Sequence, residues 1–277
     1  SNAMARVALL ADRLRVEERL LIEAFAARGH EAVLVQPAKL ALSPAAPSAG
    51  DFVAALDRGE ATAERAVLAA LLASGGTPVV NRAATARLLA DRMALLRHLI
   101  LADIPVPETR VCFGEEAIFA AIAEIGYPVV LKSLTVDPGF PVALVEDQDA
   151  AEAIVEHRIM LGGERAVLVQ QFIPARAGQS VRLVVAGRSL AGIEQRTHGG
   201  WRPGRDATYE AYTGDPAPLT ALAERIIERL GTGTYAVEVV ETGDGPVVVG
   251  VANLVDFRSL SGRGVDVAGM IADFVLG

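Results

Sequence analysis

Residues 126–132 read Gly126-Tyr127-Pro128-Val129-Val130-Leu131-Lys132, an apolar run that ends in a lysine. Short apolar runs that are bounded by Gly or Pro are typical of buried β-strands. A Gly/Pro loop at residues 137–141 and a second apolar strand at residues 142–145 follow. After a helix, a third strand at residues 166–173 completes the segment. We therefore predict a small sheet that carries a lysine beside a glycine loop.

Lys132 is unusual in this composition, because Lys39 is the only other lysine among 26 lysine and arginine residues. A lysine supplies a compact point charge, which an arginine does not. Next to the glycine loop, Lys132 is predicted to contact nucleotide phosphates, while residues 170–173 offer a hinge for an adenine ring. The alternative is a cation at a strand end that points into water.

The composition excludes several classes of protein. The formal net charge of −8 and the pI of about 5.1 give no electrostatic footprint for nucleic acid binding. Cys112 is the single cysteine, which excludes a disulfide within the chain and favours a reducing compartment. No apolar run reaches the roughly 18 residues that a membrane span needs. We expect a cytoplasmic protein with no nucleic acid or membrane partner.

Residues 4–80 are predicted to form a small α/β domain. Strands are predicted at residues 6–10, 31–35 and 78–80, and helices at residues 16–28 and 61–74. A strand, a helix and a strand of these lengths indicate a crossover between parallel strands. The domain has no phosphate-binding glycine motif, so it is not an ordinary dinucleotide-binding domain.

Two further units follow along the chain. Residues 81–173 contain the strands around Lys132 and predicted helices at residues 85–101, 115–125 and 150–160. Residues 174–277 are richer in strands, which are predicted at residues 181–185, 189–196, 235–240 and 246–251. The last two strands are expected to form a hairpin across residues 242–245. Helices are predicted at residues 219–230 and 265–276.

The order of these segments resembles the ATP-grasp superfamily, and in particular its RimK-type ligases. The resemblance covers nearly the whole chain and is carried by residues 12–19, 78–82, 126–132 and 264–266. These motifs are most similar to the lysine-biosynthesis ligases that join aminoadipate to an amino-group carrier protein. The resemblance implies an α/β N-terminal domain (residues 4–80) plus an α+β ATP-grasp fold. Its central lobe (residues 81–173) and C-terminal lobe (residues 174–277) would clamp a nucleotide.

The resemblance also implies the residues of the site. Arg182 and Arg196 would be the catalytic residues that face phosphate or a substrate carboxylate, and Glu238 would bind magnesium. The residues implied in ATP binding are Arg92, Lys132, Gln170, Gln171, Phe172, Ile173 and Arg202. The residues alone leave other roles open, because strand arginines often lie on a solvated face and Glu238 would also suit an ion pair.

The predicted metal site departs from the family pattern. Where the family has a glutamate, a spacer and an asparagine on the last strand, this chain has Gly250-Val251-Ala252. Glu238 alone would hold magnesium weakly, so ATP is the expected cofactor and magnesium a weaker expectation. Asn253 and Asp256 are the nearest candidates to replace the missing ligands.

Two functions fit these features. The first is an ATP-dependent carboxylate–amine ligase that acts through an acyl phosphate on a small amino acid or an acidic carrier-protein terminus. The second is a non-catalytic relative that keeps the clamp as a nucleotide-binding or regulatory subunit, which Gly250 and Ala252 favour. The resemblance also implies a homo-oligomer.

Overall fold

The computed structural model describes residues 4–137, 142–160, 166–176, 179–198, 200–201 and 207–277. In this part of the chain, three β-sheets follow one another along the sequence, with helices between their strands. No helix in the same residues has both the length and the hydropathy that crossing a membrane requires.

The first sheet consists of four parallel strands in the order β2-β1-β3-β4. They are β1 (Arg6–Leu10), β2 (Glu31–Val35), β3 (Ala54–Asp57) and β4 (Val79–Val80). Two helices, α1 (Val16–Ala27) and α2 (Ala63–Ser74), lie between them in sequence. The predicted parallel pair of strands around α1 is confirmed. The sequence does not predict β3, because its four residues contain no β-branched side chain and show no alternation.

Two helices, α3 (Ala83–Ala90) and α4 (Arg92–Ile100), replace the single helix predicted at residues 85–101. That prediction is wrong at Asp91, whose extended backbone interrupts the helix. The Asp91 carboxylate accepts a hydrogen bond from Ala94 N at 2.9 Å and so caps α4. Asp91 also forms an isolated β-bridge with Thr135. The break therefore brings the start of α4 next to the segment that follows Lys132.

The second sheet is antiparallel and has the strand order β5-β8-β6-β7. Its strands are β5 (Thr109–Cys112), β6 (Val129–Ser133), β7 (Ala143–Val145) and β8 (Val167–Gln171). Two helices, α5 (Glu115–Ile125) and α6 (Gln148–Met160), supply apolar side chains such as Ile122 and Val155 to its core. The predicted strand that contains Lys132 is confirmed as β6, and the two predicted strands that follow it are confirmed as β7 and β8. The edge strand β5 was not predicted.

The third sheet is also antiparallel and has the strand order β11-β10-β9-β12-β13. Its strands are β9 (Ser180–Gly187), β10 (Ser189–His198), β11 (Thr208–Ala211), β12 (Gly233–Thr242) and β13 (Gly245–Ala252). The predicted hairpin is confirmed, because Thr242 pairs with Gly245 at its turn. The helices of this region are α7 (Ala217–Leu230), α8 (Arg258–Gly262) and α9 (Val267–Leu276).

The two faces of the third sheet pack on different partners. On one face, Leu183 and Val237 belong to a core that includes residues of α3, α4 and α7. On the other face, Val184 and Ala236 pack with residues of the first sheet, α1 and α9. Helices α3 and α4 thus pack on the C-terminal sheet although they lie in the predicted central lobe. The domain boundaries after residues 80 and 173 stay a prediction.

Candidate active site

Lys132 belongs to β6 of the second sheet, and its side chain extends towards β13 of the third sheet. Its Nζ donates a hydrogen bond to Gln170 Oε1 at 2.7 Å and lies 3.4 Å from the carbonyl oxygen of Val249 on β13. Gln170 is buried, and its amide donates in turn to Thr109 Oγ1 at 2.9 Å. The neighbouring strands therefore orient the half-buried Lys132 ammonium, which does not extend into open water. Its contact with phosphate stays a prediction.

The predicted adenine hinge follows the end of β8. Gln171 is exposed, whereas Phe172 and Ile173 are half-buried. The backbone N–H of Phe172 donates to Pro128 O at 3.3 Å, which fixes the direction of the chain after the strand. The Phe172 ring meets Trp201 edge-on, with 6.1 Å between the ring centroids. The role of residues 170–173 as an adenine hinge stays a prediction.

Arg92 lies at the start of α4 and contacts the segment after β6. Its Nη1 donates to Ser133 O at 3.0 Å, to Ser133 Oγ at 2.7 Å and to Thr135 O at 2.7 Å. Ser133 is the chain neighbour of Lys132, so the guanidinium holds the backbone that carries the lysine. Because the helix is interrupted at Asp91, α4 starts at Arg92, next to the segment that follows β6.

A row of charged side chains crosses the third sheet. The strand register places Glu194 of β10 opposite Arg182 of β9, and Arg182 opposite Glu238 of β12. Arg182 donates to Glu194 Oε2 through Nε, at 3.1 Å, and through Nη2. Its guanidinium carbon lies 3.7 Å from the ring centroid of Tyr209 on β11. Burial opposes the charged form of Arg182, but Glu194 and Tyr209 outweigh burial and hold its pKa above the ordinary value.

Glu194 is fully buried, and both of its carboxylate oxygens accept hydrogen bonds. Oε2 faces Arg182, and Oε1 accepts from Ser259 Oγ and from Arg263 Nη2. Glu194 was not predicted as a partner of Arg182. Counting residues outward from the turn at Gly187 would bring Ile193 opposite Arg182, and only the bulge between Leu190 and Gly192 moves Glu194 into that position.

Glu238 is 9% exposed and retains unused hydrogen-bonding capacity. Its Oε1 is 3.5 Å from the Tyr209 hydroxyl, and its Oε2 is buried without a hydrogen-bond partner among the described residues. Burial raises the pKa of Glu238 to about 7, although Arg182 and Arg196 act in the opposite direction. Arg196 lies opposite Tyr209 in the register of β10 and β11, and its Nη1 is likewise buried without a described partner.

The family resemblance implies magnesium at Glu238, and the residues present do not fit it. Gly250 is the direct partner of Glu238 on β13, and neither Gly250 nor Ala252 supplies a side-chain oxygen. Arg182 and Arg196 place positive charge beside Glu238, and this charge repels a divalent cation. Within the described ranges, no group of three or more His, Cys, Asp or Glu side chains is placed to hold a metal ion. The described residues therefore do not form a magnesium site at Glu238.

Asn253 does not replace the missing metal ligands. Its Oδ1 accepts from Asn81 Nδ2 at 2.6 Å, and its Nδ2 donates to Gly59 O at 2.8 Å. Asn81 also donates to Thr234 O at 2.8 Å and accepts from Thr234 N at 2.7 Å. The buried pair of amides therefore joins the end of the last strand to the first domain, and the expectation of a ligand at Asn253 is wrong.

Asp256 is likewise engaged elsewhere. It receives hydrogen bonds from Arg258, at 3.1 Å from the backbone N–H and 2.7 Å from Nη2, and pairs with the buried carboxyl of Glu17. Burial and the contact with Asp256 raise the pKa of Glu17 to about 7. Burial opposes ionisation of Asp256 too, but Glu17 and Arg258 lower its pKa below the usual range. Asp256 is thus engaged with Glu17 and Arg258 at the junction with α1.

A buried ion pair lies beside this junction. Arg58 is 2% exposed and donates through Nε to Glu18 Oε1 at 2.9 Å and through Nη2 to Val255 O at 2.9 Å. Arg15 donates to Glu18 as well, at 2.9 Å through Nη2. Burial raises the pKa of Glu18, but Arg15 and Arg58 outweigh burial and lower it. These contacts fix the first domain against the loop that follows β13.

Two further residues bear on the site, namely Arg202, which was predicted, and Tyr209, which was not. Arg202 lies outside the described residues, so its predicted contact with nucleotide stays a prediction. Tyr209, which contacts both Arg182 and Glu238, was missed because β11 has four residues and no clear periodicity.

Two models of known protein families together match most of the chain. The model of the LysX preATP-grasp domain matches residues 7–88, and the model of the RimK-like ATP-grasp domain matches residues 84–275. A probable alpha-L-glutamate ligase of Thioalkalivibrio sulfidiphilus (strain HL-EbGR7) is 27% identical over 98% of this chain and 95% of the relative. A glutamate–LysW ligase ArgX of Sulfurisphaera tokodaii is 25% identical over 69% of this chain and 68% of the relative.

The structure is also similar to solved structures. A crystal structure of a RimK domain protein ATP-grasp from Sphaerobacter thermophilus DSM 20745 matches with a TM-score of 0.94 and 97% identity. The match covers 99% of this chain and 100% of that one. The predicted fold, an α/β N-terminal domain followed by an α+β ATP-grasp fold, is confirmed. The chain belongs to the RimK-like ATP-grasp family.

Proposed function

We propose that the chain is an ATP-dependent carboxylate–amine ligase. The carboxylate of one substrate attacks the γ-phosphorus of ATP, ADP leaves, and a mixed acyl phosphate forms. The amine of the second substrate then attacks the acyl carbon, and inorganic phosphate leaves as the amide bond forms. Such a reaction depends mainly on positioning the reactants and on stabilising the charge of the transferred phosphoryl group.

The position of Lys132 between two sheets carries this proposal. Its Nζ approaches the carbonyl of Val249, whose chain neighbour Gly250 pairs with Glu238. Glu238 pairs in turn with Arg182, so neighbouring strand positions link the lysine of the central lobe to the arginine of the C-terminal lobe. Two cations that come from different lobes suit a polyphosphate that lies between the lobes.

We propose an acidic amino acid as one substrate, and a small amino acid or the acidic terminus of a carrier protein as the other. The support is that relatives are named for glutamate, either as alpha-L-glutamate ligases or as a ligase of glutamate and LysW.

ADP release and hydroxamate formation test the proposal. Wild-type protein would be incubated with ATP, magnesium, hydroxylamine and each of a panel of acidic amino acids and glutamate-terminated peptides. The ligase predicts ADP release that depends on one carboxylate, together with the hydroxamate of that carboxylate, because hydroxylamine traps an acyl phosphate. Lys132→Met is expected to abolish both signals.

The non-catalytic alternative gives a different outcome in the same assay. A nucleotide-binding subunit would bind ADP and yet release none from ATP with any member of the panel. The ligase names of the relatives do not support this alternative. ADP release without a hydroxamate would also contradict the proposal, since it would indicate ATP hydrolysis without an activated carboxylate.

A further inference from the structure

We propose that this clamp neutralises the phosphates of ATP and ADP with arginine and lysine side chains, and that no side chain of its C-terminal sheet holds a divalent cation. The inference rests on the proposed function, because it concerns the same nucleotide. It predicts a site whose affinity for nucleotide is independent of magnesium, unlike a site that holds the ion with protein carboxylates.

The register of the last hairpin is the first observation. Glu238 faces Gly250 directly, and the ladder shifts by one residue immediately afterwards, so that Val239 faces Val248. A Cβ placed on Gly250 would meet no atom within 4 Å. Crowding at the Cβ position therefore does not explain the missing side chain.

Arg196 is the second observation. Its Nη1 is buried and has no hydrogen-bond partner in the part of the chain that the structure describes. Arg182, by contrast, is paired with Glu194. A buried guanidinium nitrogen without an acceptor loses the hydrogen bonds it would make in water, so an oxygen acceptor supplied by a ligand would be strongly favoured. A phosphate oxygen is such an acceptor, and arginine binds it with two parallel hydrogen bonds.

The charges around Glu238 are the third observation. Arg182 and Arg196 both act on Glu238, and the Tyr209 hydroxyl faces its Oε1. A divalent cation at Glu238 would have to approach two guanidinium groups, of which Glu194 balances only Arg182, and like charges repel strongly where water is excluded. The Arg196 guanidinium, whose Nη1 has no described partner, attracts a polyphosphate. The arrangement thus favours an anion in the place where relatives use a metal ion.

Calorimetric titration with ADP tests the inference, first in excess EDTA and then in millimolar magnesium chloride. We expect the two dissociation constants of the wild type to agree within about threefold. Arg196→Gln is expected to weaken ADP binding in EDTA by about tenfold or more, because it removes the charge and keeps a polar side chain. Arg188→Gln is the matched control, since Arg188 lies at the far turn of the same hairpin of β9 and β10.

A variant with the missing metal ligands restored is expected to bind ADP in a magnesium-dependent way. Gly250→Glu combined with Ala252→Asn restores the family ligands and is expected to make ADP binding at least about tenfold tighter in magnesium than in EDTA. Electron paramagnetic resonance of Mn²⁺ in the presence of ADP provides a readout independent of activity. The double variant should bind Mn²⁺, whereas the wild type and the control Gly243→Glu, at the open turn of the same hairpin, should add nothing to the Mn²⁺ binding of ADP itself.

The outcomes separate the inference from the proposed function. ADP binding by the wild type that is about tenfold or more tighter in magnesium would overturn the inference and leave the ligase in place. Absence of ADP binding in both buffers would overturn the inference together with the nucleotide clamp. Equal affinities with an unaffected Arg196→Gln variant would also contradict it, because the arginine would then contribute nothing. If the double variant does not fold, the wild-type and Arg196→Gln titrations decide the question.

Discussion

Glu238 and Gly250 are direct partners across the last two strands of the third sheet, with the glutamate buried and the glycine facing open space. In the family pattern, the last strand supplies two further ligands for a metal ion. Here Gly250 and Ala252 stand at those positions and carry no side-chain oxygen, while Arg182 and Arg196 lie near the Glu238 carboxylate. The described residues around Glu238 thus carry positive charge where the resemblance implies a metal ion.

Replacing Lys132 tests its role in the clamp. Lys132→Met keeps most of the apolar stem and removes the ammonium, so ADP affinity is expected to fall by about 10- to 100-fold, which corresponds to a charge-assisted hydrogen bond. Calorimetric titration with ADP measures this loss. Lys39→Met is the matched control, because Lys39 is exposed and is the only other lysine of the chain. Equal affinities for the two variants would refute a phosphate contact at Lys132.

The raised pKa of Glu238 predicts a pH dependence of stability. In the unfolded chain this group ionises near its ordinary pKa of 4.5, whereas in the folded protein it keeps its proton until about pH 7. The protonated group therefore gives its full contribution to stability below pH 4.5, and that contribution is lost as the pH rises through 7. The loss is on the order of 3 kcal/mol for a shift of this size.

Glu238→Gln isolates this dependence, because glutamine stays neutral and the other titrating groups are common to both proteins. Urea unfolding at a series of pH values would give the free energy of unfolding for each. Relative to the variant, the wild type should lose stability between pH 4.5 and pH 7 and should change little above pH 8. A difference that is flat over this range would mean that Glu238 is not desolvated as described.

The buried pair of Arg58 and Glu18 predicts a large effect on stability. Arg58→Met leaves the buried Glu18 carboxylate without one of its cations, and breaking such a pair costs about 3–5 kcal/mol. Arg6→Met is the control, since the ion pair of Arg6 with Glu31 is roughly half exposed on both sides and such pairs are worth at most about 1 kcal/mol. Urea unfolding compares the two variants, and equal losses would contradict the junction between the first domain and the loop after β13.

Asn253 is predicted to act in folding and not in metal binding. Asn253→Ala removes the hydrogen bonds to Asn81 and to Gly59 O, and its melting temperature should fall by several degrees, or about 2 kcal/mol. Gln148→Ala is the control, because its bond to Glu152 is exposed. Asn253→Ala should retain the wild-type response of ADP binding to magnesium. A changed response at unchanged stability would restore Asn253 as a metal ligand.

The sequence predicted the long and strongly patterned elements well. The strand that ends near Lys132, the hairpin of the last two strands and the C-terminal helix follow from apolar periodicity and turn residues, and the structure confirms them. The short strands β3, β5 and β11 were missed, because four residues carry too little pattern. The break at Asp91 was missed as well, since the capping aspartate lies within an uninterrupted helical pattern and its β-bridge to Thr135 is a tertiary contact.

The site was predictable in part, for a similar reason. The position of Lys132 after an apolar strand made it a candidate, and the family resemblance implied Arg182, Arg196 and Glu238, but contact partners depend on register and packing. Glu194 becomes visible only when the hairpin is paired in register. The amide pair of Asn253 and Asn81 joins residues 172 positions apart, and no local pattern announces such a contact.

The transfer of isotopic oxygen tests the central claim of a carboxylate–amine ligase most directly. The amino acid or peptide that supports ADP release would be labelled with ¹⁸O in its carboxylate, and the inorganic phosphate would be analysed by mass spectrometry. An acyl phosphate intermediate predicts that each phosphate released with an amide bond carries one ¹⁸O from the carboxylate. Phosphate without the label would show that no bond forms between the carboxylate and the γ-phosphorus, and would contradict the account.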